Sequence, residues 1–322
     1  MNIYSGEQAR NWIIVDSSQA GEVRITAVQP SERPRIGDVC VLNVNDLPTF
    51  TDALQSFERQ TGCPLNGSEC VIAIGGATSG EALPVARSRW TITRPGLQAV
   101  FGRPVTVIND VAARAWAIRS GTASLGAVRG YGQPSLEKPG RMLMLMIDEG
   151  LGACCIDIDR DRQVRMLETE AGHTDFSPSD ENQQRLATAL RGNAPQLSWE
   201  AVLARSSNEP EIVAALPHLS DSERAGLLAG IAGRLCVNLI MAYGAWSGVI
   251  LTGCRAPRLL SDSGRRAFEA QFATKRTFSR LIMATPVWSL AQREPVLTGA
   301  AEILAHHYAA ASIKPAMAAM RR

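Results

Sequence analysis

Cysteine pairing is the first thing the sequence lacks. Its seven cysteines, at 40, 63, 70, 154, 155, 236 and 254, form an odd set with no C-x-x-C spacing. Such a set predicts reduced thiols in a cytoplasmic protein, not a disulfide framework. Histidine is scarce too: His306 and His307 fall on a predicted C-terminal helix and His218 follows Pro217 in a loop. No ligand cluster surrounds these three, so surface or core roles are expected for them and not metal binding. No run of about 18 apolar residues occurs, which excludes a membrane span. The start, Met1-Asn2-Ile3-Tyr4-Ser5-Gly6-Glu7, lacks the basic and apolar regions of a secretory signal. Charge of one sign is missing as well. A net charge of +2 supplies no field that would favour nucleic acid or an anionic membrane as partner.

What is present is ordinary for a globular protein of two domains: 322 residues, 45% hydrophobic and 20% charged. Residues 12–28 read as a hairpin, and Phe50, Leu54 and Phe57 have the spacing of an amphipathic helix. Residues 70–75 and 104–108 read as short buried strands. The stretch 121–140 carries five glycines and two prolines without a hydrophobic period, which predicts a loop or interdomain linker. Beyond it come a strong strand at 142–147, a helix after Ser179 and a long apolar helix over 223–244. Met142, Met144 and Met146 read as one face of that strand. No internal repeat is evident.

Two places concentrate chemistry. Val105-Thr106-Val107-Ile108 is a strand closed by Asn109-Asp110, and Val111-Ala112-Ala113-Arg114-Ala115-Trp116 opens a helix of small residues. A carboxylate at the carboxyl end of a strand in an open α/β sheet stands where ligands bind, although Asp is equally a favoured helix cap. Downstream, Glu168-Thr169-Glu170-Ala171-Gly172-His173-Thr174-Asp175-Phe176-Ser177-Pro178 gathers carboxylates and an imidazole around a glycine. One carboxylate can accept from two adjacent sugar hydroxyls, and an imidazole offers both a donor and an acceptor. Glu170 and His173 therefore suit a polyol, against the plainer reading of a solvated loop. Ser179-Asp180-Glu181 reads as capping alone.

The order of motifs resembles the bacterial glucokinase family, within the actin-like sugar kinases that include hexokinases. The matching stretches are Val71-Ile72-Ala73-Ile74-Gly75-Gly76 with Trp90, then Val107-Ile108-Asn109-Asp110, then Glu170 to Pro178. Leu197-Ser198-Trp199-Glu200-Ala201-Val202-Leu203, Gly248 to Arg258 and Leu297-Thr298-Gly299-Ala300 follow in the same order. The missing Cys-rich zinc motif of the related repressor and kinase family favours the glucokinase branch. The resemblance implies two actin-like (ribonuclease H-like) α/β domains around a central cleft. The expected division is a small domain over 1–120, completed by a C-terminal helix at about 300–322, and a large domain over 121–299. It further implies a homodimer acting in carbohydrate metabolism and glycolysis. Asp110 is then the base that takes the proton from the 6-hydroxyl of glucose or a related hexose. Asn109, Glu170, His173 and Glu200 hold the other hydroxyls, with Glu200 equally readable as the exposed acid of an ordinary helix.

ATP and Mg²⁺ are the expected cofactors, and the departures from the family fall on their side. Trp12-Ile13-Ile14-Val15 leads into Asp16, expected as a magnesium contact. Ser17-Ser18-Gln19-Ala20-Gly21 then replaces a glycine pair followed by Thr-Asn, whose backbone approaches phosphate closely. In the second phosphate loop Asp148-Glu149-Gly150-Leu151-Gly152 keeps the last glycines but puts acids for a glycine and a hydroxyl donor. A carboxylate about 4 Å from a phosphate charge costs on the order of 4 kcal/mol at an effective dielectric near 20, unless it turns away or helps hold the metal. The third element survives as Gly253-Cys254. A Ser-Gly turn has become Ala204-Arg205-Ser206-Ser207, and Arg87 replaces an Asn before Trp90. Two functions fit: an ATP-dependent glucokinase, or a catalytically impaired homologue that keeps the sugar pocket as a sensor or regulator.

Overall fold

The computed structural model describes residues 11–85, 88–274 and 277–319; Arg87 and the Met1–Glu7 stretch lie outside them. The chain divides into two compact units, one formed by residues up to Ala123 and from Gln292 onward, the other by Ser124–Ala291.

In the first unit β1 (Trp12–Ser17) is buried at every position and lies in the middle of a five-stranded sheet. It turns through Gly21, in the left-handed region at φ 79°, into antiparallel β2 (Glu22–Val28), which pairs with β3 (Cys40–Asn43). α1 (Phe50–Thr61) starts at a reciprocal cap between Thr49 and Asp52 and stops at Gly62, φ 70°. Its Phe50, Leu54 and Phe57 are buried against Ile13, Val15 and Ile72 of the sheet. β4 (Glu69–Ile74) lies parallel to β1. The small pair β5 (Ala82–Pro84) and β6 (Thr91–Thr93) leads to α2 (Arg94–Phe101). β7 (Thr106–Asn109) then lies parallel to β4 and runs directly into α3 (Asp110–Trp116). Because β1, β4 and β7 are parallel, their carboxyl ends share one edge. Ser17 sits opposite Ile74, and Ile74 opposite Asn109.

The second unit opens on β8 (Ser124–Arg129), inside the stretch expected to be a linker. β8 has only Val128 fully buried and owes its form to pairing with β13 and to Arg129. That guanidinium donates to the carbonyls of Thr285, at 2.6 Å, and Met283. β9 (Gly140–Ile147), β10 (Leu151–Ile158) and β11 (Val164–Thr169) form an antiparallel meander. α4 (Glu181–Arg191), α5 (Trp199–Leu203) and α6 (Pro210–Ala215) precede the long α7 (Asp221–Tyr243). α7 is long and apolar enough to cross a membrane by composition. Here it is the central core helix, with Leu228, Ile231, Leu235 and Ile240 buried. β12 (Gly248–Thr252) adds parallel to β9. α8 (Ala256–Leu259), α9 (Asp262–Ala270) and α10 (Ser279–Ala284) lead to β13 (Val287–Ala291), which lies parallel to β12.

The C-terminal helix expected at about 300–322 is α11 (Pro295–Ala319), which belongs to the first unit. It crosses α3 so closely that a Cβ on Gly299 would lie 1.6 Å from the carbonyl oxygen of Ala113. The buried Glu302 of α11 faces Arg119 at 3.4 Å.

A repetition invisible in the residues is plain in the topology. The strand orders β3-β2-β1-β4-β7 and β11-β10-β9-β12-β13 are the same arrangement of a meander and two parallel strands, with β8 added to the second. Gly299→Ala is expected to lower the free energy of unfolding by about 1–3 kcal/mol, because the methyl meets backbone that cannot yield locally. Urea denaturation checks it, and an unchanged midpoint would mean that the two helices separate freely.

Candidate active site

The edge shared by β1, β4 and β7 gathers Asp16, Ser17, Asn109 and Asp110, all buried. Asn109 is the cap of α3. Its Oδ1 accepts from the backbone N–H of Val111 and Ala112 at 2.9 and 3.3 Å, and its Nδ2 donates to Gly76 O at 3.1 Å. The capping role that Asp110 might have filled is thus taken by its neighbour. Asp110, the first helical residue, is 6% exposed, and burial pushes its carboxyl up to about 6 against the opposing pull of Arg114. The Asp16 carboxylate adds to the rise. Asp16 is itself raised by burial, although Oδ1 accepts from the Ser18 amide at 3.0 Å and the Ser18 hydroxyl at 2.6 Å. The Ser17 hydroxyl is buried without a hydrogen-bond partner among the described residues.

In the second unit, Glu170 and His173 stand at either end of the single turn Ala171–His173. The imidazole lies between two carboxylates: Nε2 is 3.7 Å from Glu170 Oε2 and Nδ1 3.8 Å from Glu200 Oε1. Glu200 is not the exposed acid of an ordinary helix. It is half-buried, and its Oε2 accepts the Leu151 N–H at 2.9 Å. Leu151 also explains the glycine of the motif, since a Cβ on Gly172 would lie 2.0 Å from the Leu151 carbonyl oxygen.

The turn joining β9 to β10 carries Asp148, Glu149, Gly150 and, in β10, Gly152. Asp148 N–H donates to Gly150 O at 2.9 Å, closing the turn. Next to it, Gly253 adopts φ 99° and passes so near the end of β9 that a Cβ would lie 2.3 Å from Ile147 O. Cys254 then donates its thiol to Asp148 Oδ1 at 2.7 Å. Beyond this loop a cavity of about 630 Å³ is lined by Arg205, Ser206, Ser207, Asp221, Arg255 and Arg258, among others. It joins the altered turn after Glu200 to the segment after Gly253. The Arg255 guanidinium donates to the Ser206 hydroxyl at 2.6 Å and to Glu209 at 3.4 Å, and Arg205 reaches Glu209 at 3.2 Å. Among the described residues no group of three or more His, Cys, Asp or Glu is placed to hold a metal.

The sequence alone does not single out Arg114, Arg255 and Glu209. Arg114 lies four residues after Asp110 on one helix, a spacing that places the pair on one face, whereas Arg205 and Glu209 meet in the loop between α5 and α6, where no helical spacing signals them. Nothing local points to the link between Arg255 and Ser206.

Two α/β units repeating one strand order, each with polar residues at the carboxyl ends of its parallel strands, define the actin-like two-domain class of proteins. The chain belongs to the glucokinase family: the family model described as Glucokinase matches residues 20–206 and 214–307. The glucokinase of Xylella fastidiosa (strain 9a5c) is 26% identical over 284 residues, 80% of this chain and 83% of the relative. The crystal structure of glucokinase from Balamuthia mandrillaris in complex with glucose superposes with a TM-score of 0.74 at 16% identity, covering 94% of this chain and 95% of that one. The ROK family glucokinase from Streptomyces griseus, in complex with glucose and AMPPNP, has a TM-score of 0.54 at 18% identity and covers 91% and 98%.

Holding Asp110 in this site makes it a source of instability at neutral pH. Its folded-state pKa lies above the unfolded value, so the folded protein binds the extra proton between pH 3.8 and about 6. Stability therefore falls as pH rises through that window, by on the order of 3 kcal/mol from this group. Asp110→Asn is expected to melt above the parent at pH 8, with the gain shrinking as pH falls from 6 towards 4. Thermal melts across that range check it; a gain independent of pH would mean that folding does not raise the Asp110 pKa.

Proposed function

We propose that this protein transfers the γ-phosphoryl group of ATP to the 6-hydroxyl of glucose, with Asp110 as the base. The observation that carries the reading is the state of Asp110: buried at the carboxyl end of β7, within the family-matched residues, with a pKa of about 6. A general base works best when its pKa is near the operating pH, so that it is ionised and still accepts a proton. Phosphoryl transfer asks the protein mainly to aim the nucleophile and stabilise charge. Asn109 fixes the start of α3 and with it the backbone of Asp110. Glu170, His173 and Glu200 hold the remaining sugar hydroxyls. The pair of carboxylates around one imidazole offers acceptors on both sides and a donor between them.

The nucleoside of ATP fits the cavity of about 630 Å³ beside Ser206 and Arg255, a size within the range of small-molecule sites. The segments Asp16-Ser17-Ser18 and Asp148-Glu149-Gly150, with Gly152 and Gly253, serve the phosphates. Asp16 suits Mg²⁺, which prefers one or two carboxylates together with substrate phosphates. Its buried carboxylate is raised in pKa, and the Ser17 hydroxyl beside it has no partner among the described residues. Magnesium, when bound, offsets the charge of the transferring phosphates.

The second reading is a sugar-binding regulator that no longer uses ATP, and it rests on Asp148 and Glu149 in the phosphate turn. A coupled assay and calorimetry separate the two. The kinase reading requires turnover and Mg-ATP binding; glucose binding with neither supports the regulator. Asp110→Ala is expected to lower kcat by at least about 10²-fold while glucose still binds. The acid limb of kcat/KM is expected near pH 6, since activity requires ionised Asp110. An alanine variant of full activity would remove Asp110 from the mechanism.

A further inference from the structure

Asp148 poses the problem that the kinase reading must answer, since a carboxylate stands in the phosphate turn. The structure gives that carboxylate a partner from outside the turn. The loop after β12 docks on the end of β9 by backbone alone: Arg255 N–H donates to Ile147 O at 3.2 Å, and Gly253 is in the left-handed region with no room for a side chain. This docking brings the Cys254 thiol against Asp148 Oδ1, at 2.7 Å.

From this contact we propose that Cys254 is a positioning residue, whose thiol holds the Asp148 carboxylate against the β12 loop so that the turn can accept a nucleotide phosphate. The inference rests on the kinase reading above and concerns how this chain meets that requirement. A thiol suits the task because it donates without carrying charge. It stays protonated at neutral pH because burial, and then the hydrogen bond and charge of Asp148, raise its pKa above the ordinary value. Arg255 and Arg258, the cations that face it, pull the other way without reversing the rise. The carboxylate so held is less able to swing toward an incoming phosphate, whose charge would repel it. Glycine at 148 would need no such partner. The acid and the thiol therefore form one unit, and removing the thiol alone exposes the acid.

The test is calorimetric titration of Mg-ATP into the glucose-saturated protein. Cys254→Ala is expected to weaken binding by about tenfold. Cys254→Ser, which keeps a donor, is expected to stay within about twofold of the parent. Adding Asp148→Asn to Cys254→Ala is expected to restore affinity, since the loss comes from the released charge. Unchanged affinity in Cys254→Ala, or a loss that Asp148→Asn does not repair, overturns the proposal while the kinase reading stands. A parent protein that binds no Mg-ATP defeats both. The contact itself is read without nucleotide, by following iodoacetamide alkylation of the Cys254 peptide by mass spectrometry. At pH 8 Asp148→Asn is expected to speed it by about threefold or more, through a lower thiol pKa; an unchanged rate means that the pair does not form.

Discussion

Removing the Asp110 carboxylate from water is the constraint on which the first unit depends. Burial of an ionisable acid disfavours its charged form by kilocalories, and the surrounding structure is arranged around that cost. Asn109 takes over the capping of α3, and the amides of Val111 and Asp110 itself lower the Asp110 carboxyl by less than burial raises it. Arg114, one turn along the same helix, supplies the opposing charge. The position of α3 in turn rests on α11, which approaches within backbone contact at Gly299. A residue near the chain's end thereby sets where a strand-end acid stands. This accounts for why Leu297-Thr298-Gly299-Ala300 travels with the sugar motifs although it carries no reactive group.

The repeated topology gives the two units equivalent positions with different chemistry. The turn after β1 and the turn after β9 occupy the same place in their sheets, as do Gly75-Gly76 after β4 and Gly253-Cys254 after β12. In the first unit the β1 turn ties its own acid inward, Asp16 to Ser18. In the second the acid of the turn reaches across to the neighbouring strand's loop, Asp148 to Cys254. Both arrangements engage a carboxylate through a side chain, Ser18 in the place of a family glycine for Asp16 and Cys254 for Asp148. Ser18 and Asp148, two of the departures from the family motif, thus each make a side-chain hydrogen bond within their own unit.

How much of this was legible in the sequence depends on the range of the interaction responsible. The 12–28 hairpin, α1, β9 and α7 follow from patterns of apolar residues and from turn glycines that act over a few positions. β8 could not be read that way. Ser124-Leu125-Gly126-Ala127-Val128-Arg129 is an edge strand, with a glycine and only Val128 fully buried, held by pairing to β13 more than 150 residues away. Asp110 was readable because its strand and helix are contiguous with it. The character of Glu200 was not, because the amide that it accepts from belongs to Leu151 and the imidazole that it faces belongs to another loop. The helix start after Ser179 is capped by Asp180, one residue later than Ser179, with its side chain accepting from Gln183 N–H.

The electrostatics of the second unit bear on which of the two functions its residues suit. Asp148 and Glu149 add negative charge to the turn, yet the loop beside them brings Arg255 and Arg258, and the altered turn after Glu200 brings Arg205. Arg205 and Arg255 converge on one carboxylate, Glu209, whose pKa is lowered by its hydrogen bonds and by both guanidiniums despite its partial burial. Arg205 also reaches Glu211 at 3.7 Å and Asp221 lines the same cavity, so the positive charge of the guanidiniums is matched by carboxylates. Arg255 is mostly buried, with its side chain 19% exposed, so that charge is screened less by solvent than a surface arginine would be. A mostly buried guanidinium held between the Ser206 hydroxyl and Glu209 fixes this wall of the cavity, and so ties the turn after Glu200 to the loop after Gly253.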